Sequence, residues 1–138
     1  MTLIRTLIVY IYVIAVVIHN AGYYQKVRSQ EDVLGADVVQ QKIHDRARKA
    51  AARIMKLSGA NMKVVGKENI PAEGAVLYVS NHQSFMDVPA IVSVLDRPTG
   101  FIAKDDLGKI PFFRDWVTEL KAVLIARGDA RKALTAII

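Results

Sequence analysis

The sequence predicts an α/β protein in which N-terminal membrane-associated helices precede the first part of a mostly parallel sheet flanked by helices. Three observations carry this. An unbroken apolar run lies near the N-terminus, a basic segment with helical periodicity follows it, and after Pro71 short β-rich runs alternate with helical stretches. The 138 residues suffice for one domain at most, and 52% of them are hydrophobic. There is no cysteine, which excludes disulfides, thiolate metal sites and a cysteine nucleophile. The net charge of +6 is uneven: residues 1–69 hold 11 Lys/Arg against 5 Asp/Glu, whereas residues 70–138 hold 8 of each. A basic front half on a neutral back half points to an anionic surface, phospholipid or nucleic acid.

Leu7–Ile18 reads LIVYIYVIAVVI, interrupted only by tyrosine hydroxyls. Twelve residues are short against the roughly 20 that cross a bilayer, and extension back to Met1 gives 18 if Arg5 snorkels to the headgroups. Residues 1–25 therefore form an anchor or an interfacial helix, with Tyr10, Tyr12, Tyr23 and Tyr24 suited to the interface. A cleaved signal peptide fits less well, because His19-Asn20-Ala21 lacks a small residue at its first position. Lys26, Arg28 and the cluster beginning at Lys42 outweigh Arg5, so the positive-inside bias places the rest of the chain in the cytoplasm, at the inner membrane.

Residues 26–60 form a basic segment. Within it Gln40–Leu57 reads as an amphipathic helix, since Ile43, Ala47, Ala50, Ile54 and Leu57 recur at steps of four, three, four and three. Lys42, Arg46, Arg48, Lys49, Arg53 and Lys56 cover much of the remainder, a distribution suited to acidic headgroups. Gly59 and Asn61 end the helix. No helix-turn-helix partner, RNA-binding signature or stacking aromatics accompany these cations, which argues against nucleic acid.

Residues 61–138 have α/β texture. Ala75–Ser80 is expected as a buried strand, Ser84–Leu95 as a helix in which Pro89 is tolerable only if it lies in the first turn, and Gly100–Ala103 as a second strand. Asp105 or Asp106 caps a short segment that Ile110-Pro111 breaks. Phe113–Leu120 is a second helix, Ala122–Ala126 a third strand, and Arg131–Ile138 opens another helix.

Chemistry concentrates in Ser80-Asn81-His82-Gln83-Ser84-Phe85-Met86-Asp87, a polar cluster just after an expected strand, where α/β sheets place their sites. His82 and Asp87 are five apart, about 140° on a continuous helix, and cannot face each other there. With His82 in the loop and Asp87 in the first helical turn, the carboxylate reaches the imidazole and fixes its tautomer, leaving the other nitrogen as a general base. A pair without a protein nucleophile suits a substrate hydroxyl as nucleophile. The plainer reading is a helix cap beside a satisfied loop histidine. Ser84 lacks the G-x-S-x-G setting of a nucleophile and is expected to cap the helix. His19, His44 and His82 show no ligand spacing, so neither metal nor cofactor is expected.

Asn81-His82, four residues and Asp87 resemble the first signature of the glycerolipid acyltransferases, the 1-acylglycerol-3-phosphate (lysophosphatidate) acyltransferase group. Val65–Pro71 is similar to that family's run-up to its first core strand, and Phe101–Phe113 to the connection between its blocks. Val123–Arg127 stands where an apolar strand ends in a phosphate-binding arginine. The likeness covers roughly residues 57–138 in order and spacing. It implies that His82 deprotonates the free glycerol hydroxyl of lysophosphatidate, with Asp87 orienting it. The acyl group comes from acyl-CoA or acyl-carrier protein. Arg127 grips the acceptor's phosphate, Lys104 acts at the acyl donor or oxyanion unless it is an ordinary solvated lysine, and Asn81 orders the loop. Two departures stand out. Ala126 occupies a position usually polar, and a third block, Phe-Pro-Glu-Gly-Thr, does not occur. The sequence alone therefore leads one to expect a truncated copy or fragment, with an inactive membrane-bound remnant as the alternative.

Overall fold

A computed structural model describes residues 3–110 and 113–125. Helix α1 runs over Leu3–Arg28, well beyond the apolar run at both ends. Lys26 and Arg28 in its last turn complement the negative end of the helix dipole, which helps the helix continue past Ile18. A one-turn helix α2, Glu31–Leu34, turns the chain. Helix α3, Ala36–Ser58, starts four residues before the expected Gln40, because the break falls at Gly35, whose φ of 84° is left-handed. At its other end Gly59 takes φ 74° and caps the helix. The positive φ is what favours glycine here, since the Arg5 guanidinium beside Gly59 is the mobile end of a long side chain that could give way to a Cβ.

α1 and α3 pack antiparallel. Arg5 meets the end of α3 at Gly59, Arg46 donates from Nε to Asn20 Oδ1 at 2.9 Å, and Tyr24 and Val27 pack with Val39 and Ile43. α3 is the central beam of the core, contacting α1 and the helix α4, Asp87–Val94. The core gathers Tyr24 and Val27 of α1, Val39, Ile43, Ala47 and Ala51 of α3, Val92 of α4 and Leu120, with Phe101 and Trp116 against it. His44 is buried there, and its Nε2 donates to the carbonyl of Leu95 at 2.9 Å, pinning α3 to the end of α4. Arg28 pairs with Glu119 at 2.6 Å and with Glu31 at 2.9 Å, tying the end of α1 to the following helix α5, Phe113–Glu119.

Strands β1, Ile102–Lys104, and β2, Val123–Ile125, pair in parallel, with Ile102 opposite Val123 and Lys104 opposite Ile125. A short 3-10 turn over Asp105–Lys109 and α5 form the crossover that a parallel pair requires. The mixed α/β class with a long apolar N-terminal helix is the one expected.

Several expectations need correction. Ala75–Ser80 pairs with no strand among the described residues, and Leu77 and Val79 are 83% and 85% exposed. Its β-forming composition is real, but a strand exists only where a neighbour takes up its N–H and C=O groups. Tyr24 is 1% exposed, a core residue and not an interfacial one. The apolar stripe of α3 faces protein and not lipid: Ile43, Ala47, Ala50 and Ile54 are buried, while Leu57 is half-buried. α4 begins at Asp87, three residues after the expected Ser84, which lies in a turn. Ala126 and the helix expected over Arg131–Ile138 lie outside the described residues.

Candidate active site

The loop from Ser80 to Met86 delivers the polar cluster to the N-terminus of α4. Asp87 is the first helical residue and Pro89 the third, where its missing N–H leaves no bond unmade. One oxygen of Asp87 organises the whole turn. Its Oδ2 accepts from His82 Nδ1 at 2.8 Å, from the Gln83 amide at 2.7 Å and from the Ser84 amide at 2.8 Å. The geometry is the reach-back expected from the spacing. The Ser84 and Gln83 amides, followed by His82, hold the Asp87 carboxyl below the ordinary carboxylate range. Ser84 serves the turn differently from the expected helix cap: its Oγ accepts from the Met86 amide at 3.2 Å, and Asp87 satisfies the free amides.

With Nδ1 donating to a carboxylate, the neutral imidazole carries its lone pair on Nε2. The ring is largely solvent-accessible, with 64% of its side-chain surface exposed against 30% for Asp87. An imidazole held in this way can take a proton from a hydroxyl presented at Nε2.

His82 lies on the wall of a cavity of about 350 Å³. The other walls are apolar and come from every layer: Val9 and Val13 of α1, Ile54 of α3, Phe85 of the loop, Val92 of α4 and Trp116 of α5. The sequence did not reveal the part played by α1. Tyr10 stacks on Phe85 with ring centroids 6.0 Å apart and planes 28° apart, so the apolar helix touches the loop between His82 and Asp87. The one available signal was Phe85 itself, a large aromatic inside an otherwise polar cluster.

The remaining expected site residues are dispersed. Asn81 is exposed and makes no hydrogen bond among the described residues, so the loop is ordered by Asp87 and not by Asn81. Lys104 ends β1 as expected, but its Nζ pairs with Asp106, and it does not line the cavity. Asp106 also meets Lys109 at 2.7 Å, and hydrogen bonds from Lys104 and then Lys109 pull its carboxyl down to about 2. Arg127 lies outside the described residues. Among the described residues, no three His, Asp or Glu side chains converge as metal ligands would.

An α/β frame here holds a histidine–carboxylate pair with its histidine on the wall of an apolar cavity, an arrangement capable of acid–base chemistry. Residues 61–137 match the profile of the family described as Acyltransferase, which is more than half of the chain. The chain belongs to the acyltransferase family. It is 33% identical over 85 residues to a 1-acyl-sn-glycerol-3-phosphate acyltransferase of Helicobacter pylori, covering 62% of this chain and 35% of that protein. It is 40% identical over 73 residues to a protein of the same name from Chlamydomonas reinhardtii, covering 51% and 21%. With the chloroplastic 1-acyl-sn-glycerol-3-phosphate acyltransferase LPAT1 of Arabidopsis thaliana it shares 32% over 100 residues, covering 72% and 28%. The chain thus spans about a third or less of the length of these relatives. These matches bear out the resemblance drawn from the motifs. No solved structure matches the chain significantly.

Proposed function

We propose that this chain carries the catalytic base of an enzyme that moves a fatty acyl group from acyl-CoA or acyl-carrier protein to the free glycerol hydroxyl of 1-acylglycerol-3-phosphate, giving phosphatidate. The observation that carries the proposal is the His82 Nδ1–Asp87 Oδ2 bond of 2.8 Å on the wall of an apolar cavity. Nε2 of His82 takes the hydroxyl proton as the oxygen attacks the thioester carbonyl. The tetrahedral intermediate collapses with cleavage of the C–S bond, and the imidazolium returns its proton to the leaving thiolate. Asp87 keeps Nδ1 protonated and stabilises the imidazolium throughout. Arg127 is assigned to the acceptor's phosphate. Lys104, paired with Asp106, acts at the donor only if that ion pair opens. The names of the relatives support the acceptor. No metal or other cofactor enters the scheme.

The site works at a membrane. α1 is long and apolar enough to cross one, with its 26 residues reaching about 39 Å. Its packing favours a different posture. Arg46, Lys49 and Arg53 of α3 lie beside α1 at the level of residues 12–20, so a transverse α1 would carry them into hydrocarbon. A helix lying in one leaflet instead places Leu7, Ile11, Ile14 and Ile18, all exposed, among the acyl chains and leaves the cations among headgroups. Tyr10 and Phe85, exposed and stacked, then hold the His82 loop at lipid depth, where an amphiphilic acceptor resides. The leaflet is the cytoplasmic one of the inner membrane, on the side of the thioester donors. The test is to supply the full-length protein in mixed micelles with oleoyl-CoA and, in parallel, lysophosphatidate or glycerol-3-phosphate. Phosphatidate must form, and formation of lysophosphatidate from glycerol-3-phosphate at an equal or higher rate would contradict the assigned acceptor.

A further inference from the structure

We infer that the groove between α1 and α3, separate from the cavity that His82 lines, is a dedicated binding site for the phosphate of an anionic membrane phospholipid. This rests on the membrane-bound posture proposed above, but it concerns a second site that the acyl-transfer chemistry does not use. The groove encloses about 510 Å³ and is walled by Arg46, Lys49 and Arg53 on α3 and by Tyr12, His19 and Asn20 on α1. No carboxylate lines it.

Three features distinguish it from an ordinary basic surface. At 100° per residue, positions 46, 49 and 53 fall within an arc of about 60°, so the three cations converge on one strip of α3. Second, no carboxylate partner among the described residues meets any of the three, a state they share with Lys26, Lys42 and Lys56, so all three converging charges are available together. Third, Arg46 is already oriented. Its Nε donates to the buried Asn20 Oδ1 at 2.9 Å, and its guanidinium lies 4.7 Å from the centroid of the Tyr23 ring. This leaves both Nη groups to donate, the fork that matches a phosphate.

The lipid source follows from what borders the groove. The strip of α1 that forms its wall is flanked on the helix surface by the exposed arc of Ile8, Ile11, Ile14 and Ile18. A phosphate seated on Arg46, Lys49 and Arg53 therefore has an apolar track beside it for its acyl chains, which inorganic phosphate cannot use. The occupied groove fixes the height of the helix pair in the leaflet.

The test is flotation of the full-length protein with vesicles of phosphatidylcholine alone and with vesicles containing 30 mol% phosphatidylglycerol. The readout is the ratio of the two partition coefficients. Arg46→Gln/Lys49→Gln/Arg53→Gln is expected to lower that ratio by on the order of 100-fold, at about fivefold per cation near the surface. Arg46→Lys/Arg53→Lys keeps every charge but removes the forks, and is expected to lower the ratio about tenfold with an unchanged circular dichroism spectrum. An unchanged ratio in this second variant means diffuse attraction and overturns the site. Equal loss of binding on adding inorganic phosphate at matched ionic strength also overturns it, because the groove then prefers the free anion. Flotation with neutral vesicles but no anionic preference refutes the groove and spares the membrane reading, whereas no flotation with either vesicle refutes both.

Discussion

The posture of α1 can be decided by asking from which side its two ends are reached. The chain has no cysteine, so a single one can be introduced without background labelling. Leu3 at the start of α1 and Val33 just after its end are each 86% exposed, and Leu3→Cys and Val33→Cys disturb no packing. A transverse α1 that keeps its contacts with α3 would bring Arg46, Lys49 and Arg53 to the depth of residues 12–20. At about 2.5–3.5 kcal/mol for each cation at the middle of a membrane helix, the penalty is roughly 7–10 kcal/mol. Separating α1 from α3 instead would uncover Tyr24, Val27, Val39 and Ile43, the heart of the core. Neither alternative competes with a helix lying in one leaflet. Sealed vesicles of known orientation, treated with a membrane-impermeant maleimide, should therefore label Val33→Cys from one face and leave Leu3→Cys, on the same lipid-facing arc as Leu7 and Ile18, unlabelled from the other. If Leu3→Cys reacts only from the face opposite to that on which Val33→Cys reacts, α1 crosses the bilayer and the energetic reasoning is wrong.

Replacing Asp87 by Asn keeps an oxygen for the Gln83 and Ser84 amides and for His82 Nδ1 but removes the negative charge that stabilises the imidazolium. Acyl transfer should fall by roughly 10²–10⁴-fold with the protein still folded, and near-normal turnover would show that the carboxylate's charge does not support the imidazolium. Ile43 is 0% exposed at the centre of α3, so Ile43→Ala should destabilise the fold by about 2–5 kcal/mol, read as a lower thermal midpoint in mild detergent. A midpoint equal to that of the parent would mean the α1–α3–α4 core does not govern unfolding. Asp106 has its carboxyl lowered from 3.8 to about 2 by Lys104 and Lys109. Its contribution to stability is present above pH 3.8 and is lost as pH falls from there through about 2. Carboxyl ¹³C shifts should show Asp106 titrating near the lower value, and a midpoint in the ordinary carboxylate range would dissolve the proposed cluster.

Residue spacing made the helices and the His82–Asp87 geometry readable because both are local. A five-residue separation cannot close on one helix, so a turn had to lie between the two residues, and the structure places it at Ser84–Met86. The parallel pairing of 102–104 with 123–125 was foreshadowed by β-rich runs on either side of a helical stretch. What sequence could not convey was partnership. Ala75–Ser80 has the composition of a buried strand but meets no strand among the described residues, since pairing is decided by remote segments. The stripe on α3 had the period of an amphipathic helix, but the period does not say whether lipid or protein covers it. Here α1 and α4 do. Tyr24 illustrates the same limit, an aromatic in a membrane-like run that closes the protein core. Nor did any local signal say that Val9, Val13 and Tyr10, far before His82 in the chain, would wall and brace its site.

In the proposed reaction, Nε2 of His82 removes the proton from the acceptor hydroxyl. That step is tested most directly by measuring thiol release from oleoyl-CoA, with lysophosphatidate as acceptor, by the full-length protein and its His82→Ala variant in the same mixed micelles. The variant is expected to bind micelles as the parent does while its turnover falls by about 10²–10⁴-fold. Turnover within a few-fold of the parent, at equal protein and equal micelle binding, would contradict it and move the catalytic base elsewhere in the protein.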